Sequence, residues 1–110
     1  MRDDKLNLLQ GTLDLIVLKL LRAGPANGWE LTQNIQVVSK RNLDVNYGSL
    51  YPALRRLEAR GLVTAEWGVS ENNRRARYYT LTPAGRKQLE VERSEWQRFS
   101  KALGLILESE

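Results

Sequence analysis

Five arginines carry most of the chemistry that this chain of 110 residues offers. Arg55 and Arg56 follow Gly48-Ser49-Leu50-Tyr51-Pro52-Ala53-Leu54, and Arg74, Arg75 and Arg77 follow Asn72-Asn73 with no acid between them. A guanidinium is a permanent cation with a planar fork of donors, suited to phosphate oxygens or to the O6 and N7 edge of guanine. That chemistry is recognition of a polyanion. Covalent catalysis is poorly served, because the chain has no Cys and no His. Thiolate and imidazole metal ligands, Cys or Ser/His nucleophile systems and a histidine switch are thereby excluded. Glu90, Glu92 and Glu95 are spaced as a solvated helix face rather than an acid/base pair. No cofactor and no enzyme activity are expected.

The net charge of +4 is unevenly placed. Residues 1–39 hold four bases against four acids, residues 40–86 nine against four, and residues 87–110 four against five. The excess sits in the middle third, where it can gather a polyanion at one face. No apolar run approaches the ~20 residues that span a bilayer, and the start lacks a basic-then-apolar signal pattern. The expectation is a cytoplasmic protein with no membrane partner.

The elements that must hold the arginines are legible from periodicity. Leu6 to Leu21 predicts a helix with Leu9, Leu13, Ile16, Val17 and Leu20 on one stripe and Leu8, Leu15 and Leu18 beginning a second; it stops before Gly24-Pro25. Asn27 and Glu30 have capping-box spacing and open a helix with Leu31, Ile35 and Val38 on one face, fading near Ser39. A short strand is expected at Leu43-Asp44-Val45. Asn46 can cap the next helix, in which Leu50, Leu54 and Leu57 define the buried face and Gly48, Pro52, Arg55, Arg56 and Ala59 the opposite one, with Ser49 and Tyr51 on its flanks. Pro52 predicts an irregular first turn. Gly61 can end that helix in a left-handed turn.

Leu62 to Gly68 and Arg77 to Leu81 then read as a hairpin with a polar loop from Val69 to Ala76. Thr82-Pro83 is an N-cap with proline at the first helical position. A helix from Pro83 to about Glu108 would run ~39 Å at 1.5 Å per residue. Leu89, Trp96, Phe99, Leu103 and Ile106 recur on it at close to seam spacing, although Glu92 fills one apolar slot.

Three helices and then a hairpin is the order of a winged helix-turn-helix, whose third helix enters the major groove while the wing lies along the backbone or in the minor groove. The expected fold is mainly α with a small β-hairpin wing. Residues 1–82 form the winged helix-turn-helix DNA-binding domain and residues 83–110 a long C-terminal dimerisation helix, in one compact unit. The stretch Gly48 to Leu54, then Leu57-Glu58, Gly61-Leu62-Val63 and Arg77-Tyr78-Tyr79-Thr80-Leu81-Thr82-Pro83-Ala84-Gly85, resembles the PadR-like transcriptional regulators. Leu9-Gln10-Gly11-Thr12-Leu13 and Gly28-Trp29-Glu30-Leu31 are also similar to that family, where Tyr more often precedes the Glu. The resemblance covers nearly the whole chain and is sharpest from Gly48 to Leu54. The short tail resembles the compact members with a single C-terminal helix. It implies a homodimeric repressor of a neighbouring gene, released by a stress signal or a small molecule.

Candidate roles follow. Ser49, Tyr51, Pro52, Arg55 and Arg56 on the third helix and Asn73, Arg74, Arg75 and Arg77 on the wing are the candidate contacts to double-stranded DNA, with Tyr51 reading equally well as half core and Arg77 as tied to the sheet. Leu8, Leu15, Leu89, Trp96, Phe99, Leu103 and Ile106 are the candidate dimer interface, the last helix of one subunit covering the spare stripe of its partner's first helix. In some compact members of the family an aromatic-lined cavity at this interface admits flat hydrophobic ligands. Trp96 is therefore also the candidate contact to a hydrophobic small-molecule effector. Trp29 and Trp67 read as core or core-edge residues. The competing function is a winged-helix protein-interaction module, which has no need of the +5 middle segment.

Overall fold

The computed structural model describes the backbone of residues 2–110 and the side chains of residues 11–110. The elements are α1 (Arg2–Leu21), β1 (Ala26–Asn27), α2 (Gly28–Val38), α3 (Tyr47–Ala59), β2 (Val63–Val69), β3 (Arg75–Leu81) and α4 (Pro83–Glu108). The fold is mainly helical with a small antiparallel sheet in the order β1-β3-β2. Helix α3 packs on α1, α2 and β2, and α4 crosses α1.

The core forms where the apolar stripes meet. Leu13, Val17, Leu18 and Leu21 of α1, Leu31 and Ile35 of α2, and Leu50, Ala53, Leu54 and Leu57 of α3 are buried together with Tyr79, Leu81 and Leu89. Leu18, read as part of a spare stripe, belongs to this core; Leu15, Ile16 and Leu20 are only partly covered. Leu8 and Leu9 lie outside the described side chains. Val38 is 69% exposed, because α2 ends there and its last turn overhangs the core.

Local signals set the helix ends. Asn27 Oδ1 accepts from the Glu30 N–H at 2.8 Å and Glu30 Oε1 accepts from the Asn27 N–H at 3.0 Å, the reciprocal capping box that the spacing predicts. Asn46 Oδ1 caps α3 through the Ser49 N–H at 3.0 Å. The helix is continuous across Pro52, contrary to the expected irregular first turn. At its far end Gly61, at φ +72, lets the Leu62 N–H reach the Leu57 carbonyl (2.9 Å) and its own N–H the Glu58 carbonyl (3.0 Å). Those two bonds close a Schellman turn.

No strand forms at residues 43–45, whose hydrogen-bonding is turn-like: the Leu43 N–H donates to Ser39 Oγ and Asp44 accepts from Gln36. The extra strand is instead β1, where Ala26 and Asn27 pair with Tyr79 and Tyr78. Two residues give no periodicity to detect. Thr82 joins three elements: its Oγ1 accepts from the Gly85 N–H at the start of α4 (2.9 Å) and donates to the Gly61 carbonyl beyond α3 (2.8 Å), and it directly follows β3. No helix among the described residues is long and apolar enough to cross a membrane.

Candidate nucleic-acid interface

Because Leu50, Ala53, Leu54 and Leu57 turn inward, α3 must present Ser49, Arg55 and Ala59 outward, and all three are exposed. Arg55 has no ion pair among the described residues, whereas Arg56 is engaged. Its Nη2 and Nε reach Asp14 Oδ1 and Oδ2 of α1 at 2.8 and 3.3 Å, a two-pronged pair with Asp14 largely covered. Adjacent residues on a helix lie ~100° apart, enough to send one arginine to solvent and the other back over α1. Arg56, named from sequence as a candidate DNA contact, is thus tied to α1 while Arg55 is not.

Tyr51 takes the intermediate position that its angle on the helix allows. Its ring lies 5.5 Å from that of Tyr47, and its hydroxyl crosses the first residue of α2, so closely that a Cβ at Gly28 would collide with it. Burial, and then the neighbouring Tyr47, push its pKa above the ordinary phenol range. A phenol is already a neutral donor at physiological pH and this shift acts in the same direction, so the hydroxyl can face a phosphate without charge repulsion. Pro52 is half-buried beside it and offers no N–H.

The wing is longer than the sequence suggests, pairing from Val63↔Leu81 to Val69↔Arg75. Its turn spans Ser70 to Arg74, closed by the Ser70 N–H to the Arg74 carbonyl (2.8 Å) and the Asn73 N–H to the Ser70 carbonyl (2.9 Å). Asn73 sits at φ +59, a left-handed position that Asn tolerates, so its role in the structure is to shape the tip. With a period of two, Ala65, Trp67 and Val69 share one face with Arg75, Arg77 and Tyr79. On it Arg75 Cζ stands 4.5 Å from the Trp67 ring centroid and Arg77 Cζ 5.8 Å, and Arg77 also pairs with Glu58 of α3 at 3.2 Å. Tyr79 anchors this face; burial raises its pKa against the opposing pull of Arg77, with Tyr51, Glu58 and Arg55 also acting on it.

Trp29 and Trp67 are not core residues: they are 60% and 58% exposed. Trp29 lies on α2 two residues before buried Leu31, which at ~100° per residue is nearly the opposite face. The helical wheel carried that signal. For Trp67 the signal was the hairpin register, which sets it opposite Arg77. Between the starts of α2 and α3 and the wing opens a groove of about 650 Å³, lined among others by Trp29, Tyr47, Tyr51, Trp67, Arg74 and Arg75. Three arginines, Arg74, Arg75 and Arg77, thus outnumber two carboxylates, Glu71 and the capping Glu30, around a concave, partly aromatic surface, a balance that favours a polyanion.

A second apolar surface lies across the molecule. A groove of about 460 Å³ between α1 and α4 is lined by Gly11, Thr12, Leu15, Trp96 and Phe99, with Arg60 and Glu92, paired at 3.7 Å, on its wall. The Trp96 and Phe99 rings lie 5.8 Å apart. Beyond them Leu103, Leu105, Ile106 and Leu107 are exposed, Leu105 and Leu107 widening the seam read from the sequence. Leu89 is no part of that surface: at 1% exposure it is buried inside its own subunit, because α4 is still docked on α1 at that point.

Residues 17–91 match the PadR-like family of transcriptional regulators. A transcriptional regulator of Mycobacterium tuberculosis is 39% identical over 66 residues, 60% of this chain and 61% of that protein. Among solved structures, a transcriptional regulator from Clostridium thermocellum superposes with a TM-score of 0.81 at 31% identity, covering 89% of this chain and 95% of its own. A PadR-like transcriptional regulator from Bacillus cereus superposes at 0.77 with 26% identity, covering 94% and 99%. With its third helix and hairpin arranged as described, and with the family match running from within α1 into α4, this chain belongs to the PadR-like family and is a transcriptional regulator rather than an enzyme.

Proposed function

We propose that the protein is a cytoplasmic homodimeric repressor that binds a pseudo-palindromic site in double-stranded DNA. Residues 1–82 serve as the reading domain and residues 83–110 as the dimerisation helix. The observation that carries this reading is the groove shared by the start of α3 and the wing, with Arg74 and Arg75 on its wall and Arg55 exposed on the outward face of α3, all three free of ion pairs among the described residues. Ser49, Tyr51 and Arg55 enter the major groove and Arg74 and Arg75 follow the flanking backbone, with dyad-related reading helices about one helical turn of DNA apart. Leu15, Trp96, Phe99, Leu103 and Ile106 meet their counterparts in the second subunit, and occupancy of promoter DNA by the dimer represses. The groove between α1 and α4, with Trp96 and Phe99 on its wall, suits a flat hydrophobic effector that alters the angle between the two subunits.

Fluorescence-anisotropy titration against DNA from upstream of the protein's own gene, beside a scrambled sequence of equal composition and over a salt series, tests the proposal. Selective binding with a steep salt slope is expected. Replacing Arg74 and Arg75 together by Ala should weaken both DNAs alike and reduce that slope by about one for each phosphate no longer neutralised. An absence of binding at low salt would transfer the protein to the class of winged-helix interaction modules.

A further inference from the structure

Trp67 is a large apolar side chain held mostly in solvent, at the lip of a groove whose other aromatic residues are Trp29, Tyr47 and Tyr51 on helices and the buried Tyr79 on β3. Its surroundings are set by strand register. Trp67 faces Arg77 directly and Val69 faces Arg75, so the indole lies between two guanidiniums on one face of the hairpin. Arg75 is centred on the ring at 4.5 Å, well inside the range of a cation–π contact, and Arg77 is near its limit at 5.8 Å. Arg77 also gives a nitrogen to Glu58, while Arg75 has no carboxylate within ion-pair distance among the described residues. A guanidinium whose Cζ rests over a ring spends no carboxylate partner there and has N–H groups left for a phosphate. An arginine free to wander would lose much rotamer freedom on meeting a phosphate; one already resting on a ring loses less.

We infer that Trp67 is a positioning residue, holding Arg75 and to a lesser degree Arg77 over the groove with the donor edge turned out for a phosphate. The inference rests on the DNA-binding reading above. Trp67 itself makes no contact with the nucleic acid.

The test uses the whole protein. In its proton NMR spectrum the Arg75 Hδ resonances should be shifted upfield by the indole ring current, and this shift should vanish in Trp67→Leu while the melting temperature stays put. Anisotropy should show Trp67→Leu binding operator DNA about two- to five-fold more weakly, with Trp67→Phe recovering most of the affinity because a π face is restored. In an Arg75→Ala/Arg77→Ala background, Trp67→Leu should have no further effect. A further weakening in that background would mean that the ring meets DNA directly, and equal weakening for Leu and Phe would mean that it only packs the hairpin; either overturns the inference, as does unchanged binding in Trp67→Leu. Failure of the unaltered protein to bind DNA, with the ring-current shift present, would overturn the DNA-binding reading and the inference with it while leaving the contact between Arg75 and the ring standing.

Discussion

Two arginines that look equivalent in the sequence, Arg55 and Arg56, have opposite employment. Arg56 grips Asp14 from 42 positions away in the chain, and Arg55 is open to solvent. Arg56→Ala should therefore lower stability by about 1–2 kcal/mol, the worth of a charge-assisted, partly exposed pair, with little change in DNA affinity at temperatures where the protein is folded. Arg55→Ala should do the reverse, leaving the urea midpoint in place and weakening operator binding about tenfold, or ~1.4 kcal/mol. Denaturation and anisotropy on the two variants decide it, and an Arg56→Ala protein of normal stability that no longer binds DNA would reverse the assignment. Helical angle narrows the candidates in the sequence to a face but cannot name a partner on another helix. The pairing of Trp67 with Arg75 and Arg77 was hidden for the same reason, since it needs the exact strand register.

At the level of the elements, the turn between α2 and α3 carries a conformation that its residues do not favour. Lys40 and Arg41 both have left-handed backbones, at φ +53 and +65, so that the Arg41 N–H can reach the Gln36 carbonyl at 2.7 Å and the Lys40 N–H the Val37 carbonyl at 3.1 Å. This is the same turn that Gly61 makes after α3, built here without glycine. A non-glycine residue in that region costs about 1–2 kcal/mol, part of which glycine returns as extra freedom in the unfolded chain. Lys40→Gly should consequently raise stability by about 0.5–1 kcal/mol, read as a higher urea midpoint at constant slope; a lower midpoint would mean that the lysine side chain contributes more than the strained turn costs. Caps and terminators such as Asn27-Glu30, Asn46, Gly61 and Thr82-Pro83 were legible because each acts within four residues. The left-handed Lys40-Arg41 pair was not, because neither residue type marks such a turn, and the two-residue β1 was not, because only its pairing with β3 defines it.

For the molecule as a whole, the dimensions of 57 × 28 × 25 Å describe a small body with an arm. The arm is the second half of α4, and its Trp96, Phe99, Leu103 and Ile106 have more apolar surface than a lone helix in water would keep exposed. Sedimentation equilibrium should accordingly find twice the 12.6 kDa chain mass, and Trp96→Glu with Phe99→Glu should shift it to the single chain with the winged helix still folded by circular dichroism. A stable monomer for the unaltered protein would contradict the role given to α4. The sequence made the seam visible through its spacing; it overextended it at Leu89, where only the crossing of α1 and α4 tells intramolecular burial from a free face.

The junction at Thr82 has a mechanical consequence. Since one hydroxyl bonds both to the carbonyl that follows α3 and to the first turn of α4, directly after the wing, the root of α4 is tied to the reading surface. With the whole of α4 reaching ~39 Å from that root, a rotation of only about 5° moves its far end by about 3 Å, comparable to one base-pair step. In the dimer proposed above, arms rooted in this way would set the distance between the two reading surfaces along the double helix, and a small wedge between them would be enough to put the pair out of step with it.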